Sequence, residues 1–185
     1  MTLTKVRLWT VDEYHRMIAT GILCTTDHVE LLEGQIVEMS PQLPPHASTT
    51  QRTARYLDRL LEGQAYMRMQ LPVTLKPKSE PEPDIAVVRL SHNEYADQHP
   101  TPAEIFLLIE VADTTLENDL KQKALTYAKA GIADYWILDV NDRQVYVLRA
   151  PTPEGYQQEI VFGSDSVLAP LAFPQVDVLF QQLFP

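Results

Sequence analysis

The order of elements in this sequence predicts an α/β fold of the α+β kind, a mixed sheet with helices packed on it. Three observations carry the prediction. The run Ile105–Val111 (IFLLIEV) is short, apolar and interrupted only by Glu110. Residues 115–130 place Leu116, Leu120, Ala124 and Tyr127 on one helical face. Two further apolar segments flank a turn at Asn141-Asp142. Strands, one helix and more strands make neither a βαβ repeat nor a sandwich.

The elements follow in order. Thr10 and Glu13 form a capping-box pattern before Val11, Tyr14, Met17 and Ile18, which predicts a helix over 11–19 stopping at Gly21. His28–Met39 (HVELLEGQIVEM) reads as an N-terminal hairpin turning at Glu33-Gly34. Pro41, Pro44 and Pro45 make a loop that delivers His46, and a helix follows over 47–62 with Ala54, Leu57 and Leu61 inward. Met67, Met69, Leu71 and Val73 alternate as a half-buried strand does. Lys76–Pro83 is a charged turn leading into the short apolar strand Asp84–Val88. The helix over 115–130 ends at Gly131. Asp134–Val140 pairs with Gln144–Arg149, Tyr156–Phe162 is a further strand, and 175–184 reads as a terminal helix.

Composition narrows the function. The chain has 185 residues, enough for one domain spanning 1–185. Its 45% hydrophobic and 22% charged residues exclude wholesale disorder. No apolar run approaches the ~18 residues of a membrane span, and the opening MTLTKVRLWT lacks a signal core. A single cysteine, Cys24, excludes a disulfide framework and a thiolate zinc site and fits a cytoplasmic location. The net charge of −10 excludes an all-over basic coat for nucleic acid but allows a local basic groove.

Carboxylates are the informative residues. Glu110 ends an apolar strand on the face of Phe106 and Leu108, and Asp84 opens another. Each either caps a strand end in solvent or is buried with a partner; if the strands are neighbours, the two converge as a hard-cation site. Lys123 lies at the edge of the inward face of helix 115–130, within reach of the strand's end, and an ordinary surface pair with Asp119 explains it as well. Lys121 and Lys129 point away. Glu30, between Val29 and Leu31, is the best additional inward acid; Glu33, Glu38 and Glu82 read as solvated. The five histidines form no metal-ligand spacing, and His46 is either a phosphate contact or a helix-end group. Arg52, Arg55 and Arg59 form a stripe that either contacts phosphates or is merely solvated. No GxSxG, P-loop or GxGxxG is present, so no nucleotide cofactor is expected.

The strings ELLEGQIVEMSP with His46 after it, PEPDIAVV, and LLIEVADTTLENDLKQKALTYAKAGIADYWILDV together resemble the bacterial Uma-two family, within the PD-(D/E)XK nuclease superfamily. That resemblance implies a restriction-endonuclease-like fold, a mixed central sheet flanked by helices. It implies Mg²⁺ or Mn²⁺ held by Asp84 and Glu110, with Glu30 supporting and DNA as substrate. The superfamily lysine usually stands two residues after the second acid, where this chain has Ala112; the matching lysine is Lys123, from the following helix. A homodimer would ease the mismatch between an acidic chain and DNA. The rival expectation is an inactive nuclease-fold module acting in interaction or regulation; a glycosidase leaves Lys123 without a role.

Overall fold

The computed structural model describes residues 5–24 and 26–185, so part of the opening stretch read above lies outside the described residues. A six-stranded sheet organises the molecule in the order β3 (Ala65–Met69), β4 (Ile85–Arg89), β5 (Ile105–Ala112), β6 (Asp134–Asp139), β7 (Gln144–Thr152) and β8 (Gly155–Phe162). Every neighbouring pair is antiparallel except β5 and β6. A parallel pair requires a crossover, and helix α3 (116–129) supplies it.

Both faces of the sheet are covered, which explains why β4, β5 and β6 read as continuous apolar runs. On one face Ile85, Val87, Leu107, Ile109 and Trp136 pack against helix α2 (Pro44–Leu60) through Leu57 and against the C-terminal Phe180 and Phe184. On the other, Ala86, Leu108, Ala112, Tyr135 and Ile137 meet Ala124 and Tyr127 of α3. A smaller cluster of Val11, Tyr14 and Leu31 joins helix α1 (Val11–Ala19) to the hairpin of β1 (Val29–Leu32) and β2 (Gln35–Glu38). The hairpin turns on Glu33 and Gly34, both at positive φ as a two-residue turn of this hand demands. It is stitched to the rest by reciprocal backbone bonds between Leu31 and Glu80.

Four local readings are corrected. Helix α2 begins at Pro44, not at 47: the two prolines occupy N1 and N2, where a missing N–H costs nothing. Strand β3 runs from Ala65 to Met69 and does not reach Val73, because Gln70 adopts a φ of 52° and turns its N–H to the carbonyls of Pro83 and Asp84. The terminal helix is one 3-10 turn, Phe180–Gln182, preceded by the short pair β9 (Val167–Leu168) and β10 (Val178–Leu179). Helix α3 is not uniform: Asp119–Lys123 is a π-helical turn between Leu116–Asn118 and Ala124–Lys129, with the Ala124 N–H reaching back to the Asp119 carbonyl.

Candidate active site

Strand register creates the centre of the site. Ala86 pairs with Leu108 and Ile85 with Ile109, so one step further Asp84 falls beside Glu110. The two residues interlock: the Asp84 N–H donates to Glu110 Oε2 at 3.4 Å, and the Val111 N–H donates to Asp84 Oδ2 at 2.8 Å. Neither carboxylate is a solvated strand end; Glu110 is 3% exposed and Asp84 7%.

Three neighbours complete the arrangement. Lys123 donates from Nζ to Glu110 Oε1 at 3.0 Å and lies 3.6 Å from Glu30 Oε1. The Tyr127 hydroxyl donates to the same Glu110 oxygen at 2.6 Å. His46, in the first turn of α2, meets Asp84 Oδ2 through Nε2 at 3.0 Å. Glu30 is held from behind, its Oε2 accepting the Glu82 N–H at 3.0 Å. The π turn matters here. It carries Asp119 inward to 3% exposure, against the expected surface pair, and the Thr115 hydroxyl binds its carboxylate at 2.6 Å.

Four buried carboxylates, Glu30, Asp84, Glu110 and Asp119, therefore share the site with one ammonium. Burial pushes the Glu110 carboxyl up to about 8; Lys123 opposes that shift, and Asp84, Asp119 and Glu30 reinforce it. Asp119 and Glu82 are likewise raised by burial. For Lys123, burial disfavours the charge, but Glu110, Glu30 and Asp119 outweigh it and keep the ammonium protonated beyond its ordinary range. His46 behaves similarly: burial opposes its charged form, and the bond to Asp84 more than compensates.

A surplus of buried negative charge calls for a cation. Among the described residues no three Asp, Glu, His or Cys side chains gather closely enough to hold an ion alone. A magnesium-type site needs only one or two carboxylates, with water and substrate filling the rest. The oxygens are apportioned accordingly. Glu110 Oε1 is taken by Lys123 and Tyr127, and Asp84 Oδ2 by Val111 and His46. Glu110 Oε2 and Asp84 Oδ1 each keep only one long contact of 3.4 Å, the latter from Gln70. One oxygen of each acid is left for a hard cation, so the donor set fits. These residues open onto a cleft of about 720 Å³.

Comparison with known proteins identifies the family and the fold. The Uma2 family model, described as "Putative restriction endonuclease", matches residues 11–181. The chain belongs to the Uma-two family. A crystal structure of a "putative nuclease belonging to DUF820" from Anabaena variabilis superposes with a TM-score of 0.76 at 20% identity, covering 95% of this chain and 97% of that one. That likeness shows a shared fold, the mixed sheet flanked by helices. No curated protein matches.

Within this Uma-two chain, Asp84, Glu110, Lys123, Glu30 and His46 all line the one cleft. Ala112, where the superfamily lysine usually stands, is fully buried under α3. Arg52 and Arg55 do not share the cleft; they lie on the outer face of α2 in a separate groove. Sequence reasoning missed three residues. Tyr127 was placed on the inward face as core, although a buried hydroxyl four residues after Lys123 needs a partner. Asp119 reads as the surface partner of Lys123 and is instead buried, and Gln70 gives no signal at all. Among the described residues no helix is long and apolar enough to cross a membrane.

Proposed function

We propose that this Uma-two protein is a metal-dependent endonuclease that hydrolyses DNA phosphodiester bonds, with Asp84 and Glu110 as ligands of Mg²⁺ or Mn²⁺. The supporting observation is the convergence of two buried carboxylates, each with one lightly occupied oxygen, beside the Lys123 ammonium. A divalent ion bound there supplies Lewis acidity, drawing charge from a phosphate oxygen and acidifying water beside it. Lys123, whose charged form the neighbouring carboxylates favour, offers a hydrogen bond and positive charge to the attacking water or the phosphate. Tyr127 and Lys123 together fix which oxygen of Glu110 faces the cleft. His46 and the Val111 N–H do the same for Asp84. Glu30 steadies the ammonium from its other side. A cytoplasmic homodimer is part of the same proposal, and light scattering of the purified chain measures its mass.

The test is cleavage of plasmid DNA with Mg²⁺ or Mn²⁺, run beside Asp84→Asn and Glu110→Gln. Each variant is expected to lose about 10²-fold or more in rate. Equal rates in parent and variants would overturn the assignment. Calorimetry with Mn²⁺ separates the rival reading: an inactive interaction module gives no heat that Asp84→Asn removes.

A further inference from the structure

The acidic cleft leaves a problem unsolved, since phosphate neutralisation supplies much of the affinity of proteins for DNA and this chain carries −10. A second hollow, about 500 Å³, lies on the opposite side of α2, lined by Ser48, Gln51, Arg52, Arg55, Tyr56 and Arg59 and closed by the C-terminal turn. Its chemistry is the inverse of the cleft's. No aspartate or glutamate lines it, whereas the cleft gathers Glu30, Glu38, Glu82, Asp84, Glu110 and Asp119.

The arginines are also uncommitted. Arg7, Lys76, Lys121, Lys123, Lys129 and Arg149 are each ion-paired to a carboxylate. Arg52, Arg55 and Arg59 have no such partner among the described residues, although Asp58 sits on the same helix and Glu62 in the turn just after it. Arg52 is oriented by its Nε, which donates to the Gln182 carbonyl at 3.0 Å, while its charge stays exposed at the wall of the hollow.

We propose that this groove binds the sugar-phosphate backbone of DNA outside the cleft, as the main electrostatic anchor of the substrate. The choice of DNA as ligand rests on the nuclease reading. Spacings of three and four residues put the guanidinium groups on one stripe about 10 Å long at ~1.5 Å rise per residue. That spans about three steps between successive phosphates of one strand, at ~3.4 Å of axial rise each. Planar guanidinium groups suit paired phosphate oxygens, and the Ser48 and Gln51 side chains add neutral donors. The same helix links both sites: His46 lies about 9 Å along its axis from Arg52, at the cleft. One rigid rod thus carries an anchor on its outer face and a ligand-orienting histidine at its tip.

The experiment is fluorescence anisotropy of labelled duplex DNA with the full chain in EDTA, across a salt series. The variants are Arg55→Gln/Arg59→Gln, a triple that adds Arg52→Gln, and Asp84→Asn. Arg55 and Arg59 make no side-chain bond among the described residues, so the double variant should melt with the parent. It is expected to lower the slope of log K against log salt by about 1.8, two phosphate contacts' worth, and to weaken binding at low salt. Asp84→Asn should leave that slope unchanged. An unchanged slope and affinity in the triple variant overturns the groove, even if metal-dependent cleavage persists. Failure of the parent to bind DNA overturns it too. A slope that falls in the double variant, with no cleavage under any metal, upholds the groove and sinks the nuclease reading instead.

Discussion

Lys123 donates to Glu110 across 3.0 Å although thirteen residues separate them along the chain. The contact exists because β5 and β6 are parallel. Their crossover helix must return over the sheet, and its second turn lands above the end of β5, where Glu110 stands. The π turn then sets the rotation, so that Asp119 and Lys123 face inward together.

Removing the ammonium should be costly. Lys123→Met leaves Glu110 and Glu30 buried without their counter-charge, and an expected loss of about 3–5 kcal/mol follows for a broken buried pair. Urea denaturation in EDTA measures it. A loss below about 1 kcal/mol would mean that the carboxylates are not relying on Lys123.

Tyr127→Phe deletes one short bond to a buried carboxylate and nothing else. The expected cost is about 1.5–3 kcal/mol, the range for hydrogen bonds to charged groups. The variant should also bind Mn²⁺ more weakly, because Glu110 is freer to rotate. Unaltered stability and unaltered binding heat would both contradict the geometry.

Asp119→Asn should stabilise the metal-free protein. The substitution keeps an oxygen for Thr115 and removes a charge that burial, with Asp84 and Glu30, disfavours more than Lys123 favours it. A gain of about 1 kcal/mol is expected in EDTA, shrinking when Mg²⁺ is added. A lower melting temperature in EDTA would refute the idea of surplus charge.

The pH dependence has a definite sign. Glu110 titrates near 4.5 when unfolded and at about 8 in the fold, so the folded state binds the extra proton between those values. Its contribution to stability is fully present below about 4.5 and is lost as pH rises through about 8. Melting in EDTA should therefore decline across that window relative to Glu110→Gln, while the stabilisation given by Mg²⁺ grows. Parallel curves for the two proteins would refute it.

Gly34 tests the hairpin that carries Glu30. Its φ is 82°, and an added Cβ would stand 2.7 Å from Leu8 Cβ and 3.0 Å from the Trp9 carbonyl oxygen. Gly34→Ala should cost more than about 1 kcal/mol, since both conformation and space oppose it. Thermal melting reads the loss directly.

Legibility followed the range of the interactions. Helix α1, the hairpin, β5 and the β6–β7 hairpin could be read because each is specified within a few residues, by a cap, a turn pair or a run of apolar side chains. The misread ends were set by distant backbone. Gln70 turns because the Pro83 and Asp84 carbonyls accept its N–H. Phe180, Leu183 and Phe184 share spacing that suits a helix, yet they are buried from a single 3-10 turn, Phe180–Gln182, and the two residues after it. At the site, Asp84 and Glu110 announced themselves as charges bounding apolar strands. Lys123 was visible at the edge of a helical face. Asp119 reads beside Lys123 as a surface pair, because i, i+4 spacing suits an exposed pair as well as a buried one.

A lysine supplied through space by a crossover is released from any fixed interval to its acid. Insertions or deletions between β5 and α3 can change the written distance while the ammonium still arrives at the same oxygen. In this chain the crossover delivers Lys123 thirteen positions after its acid, and Tyr127, four places further on, shares the same Glu110 oxygen.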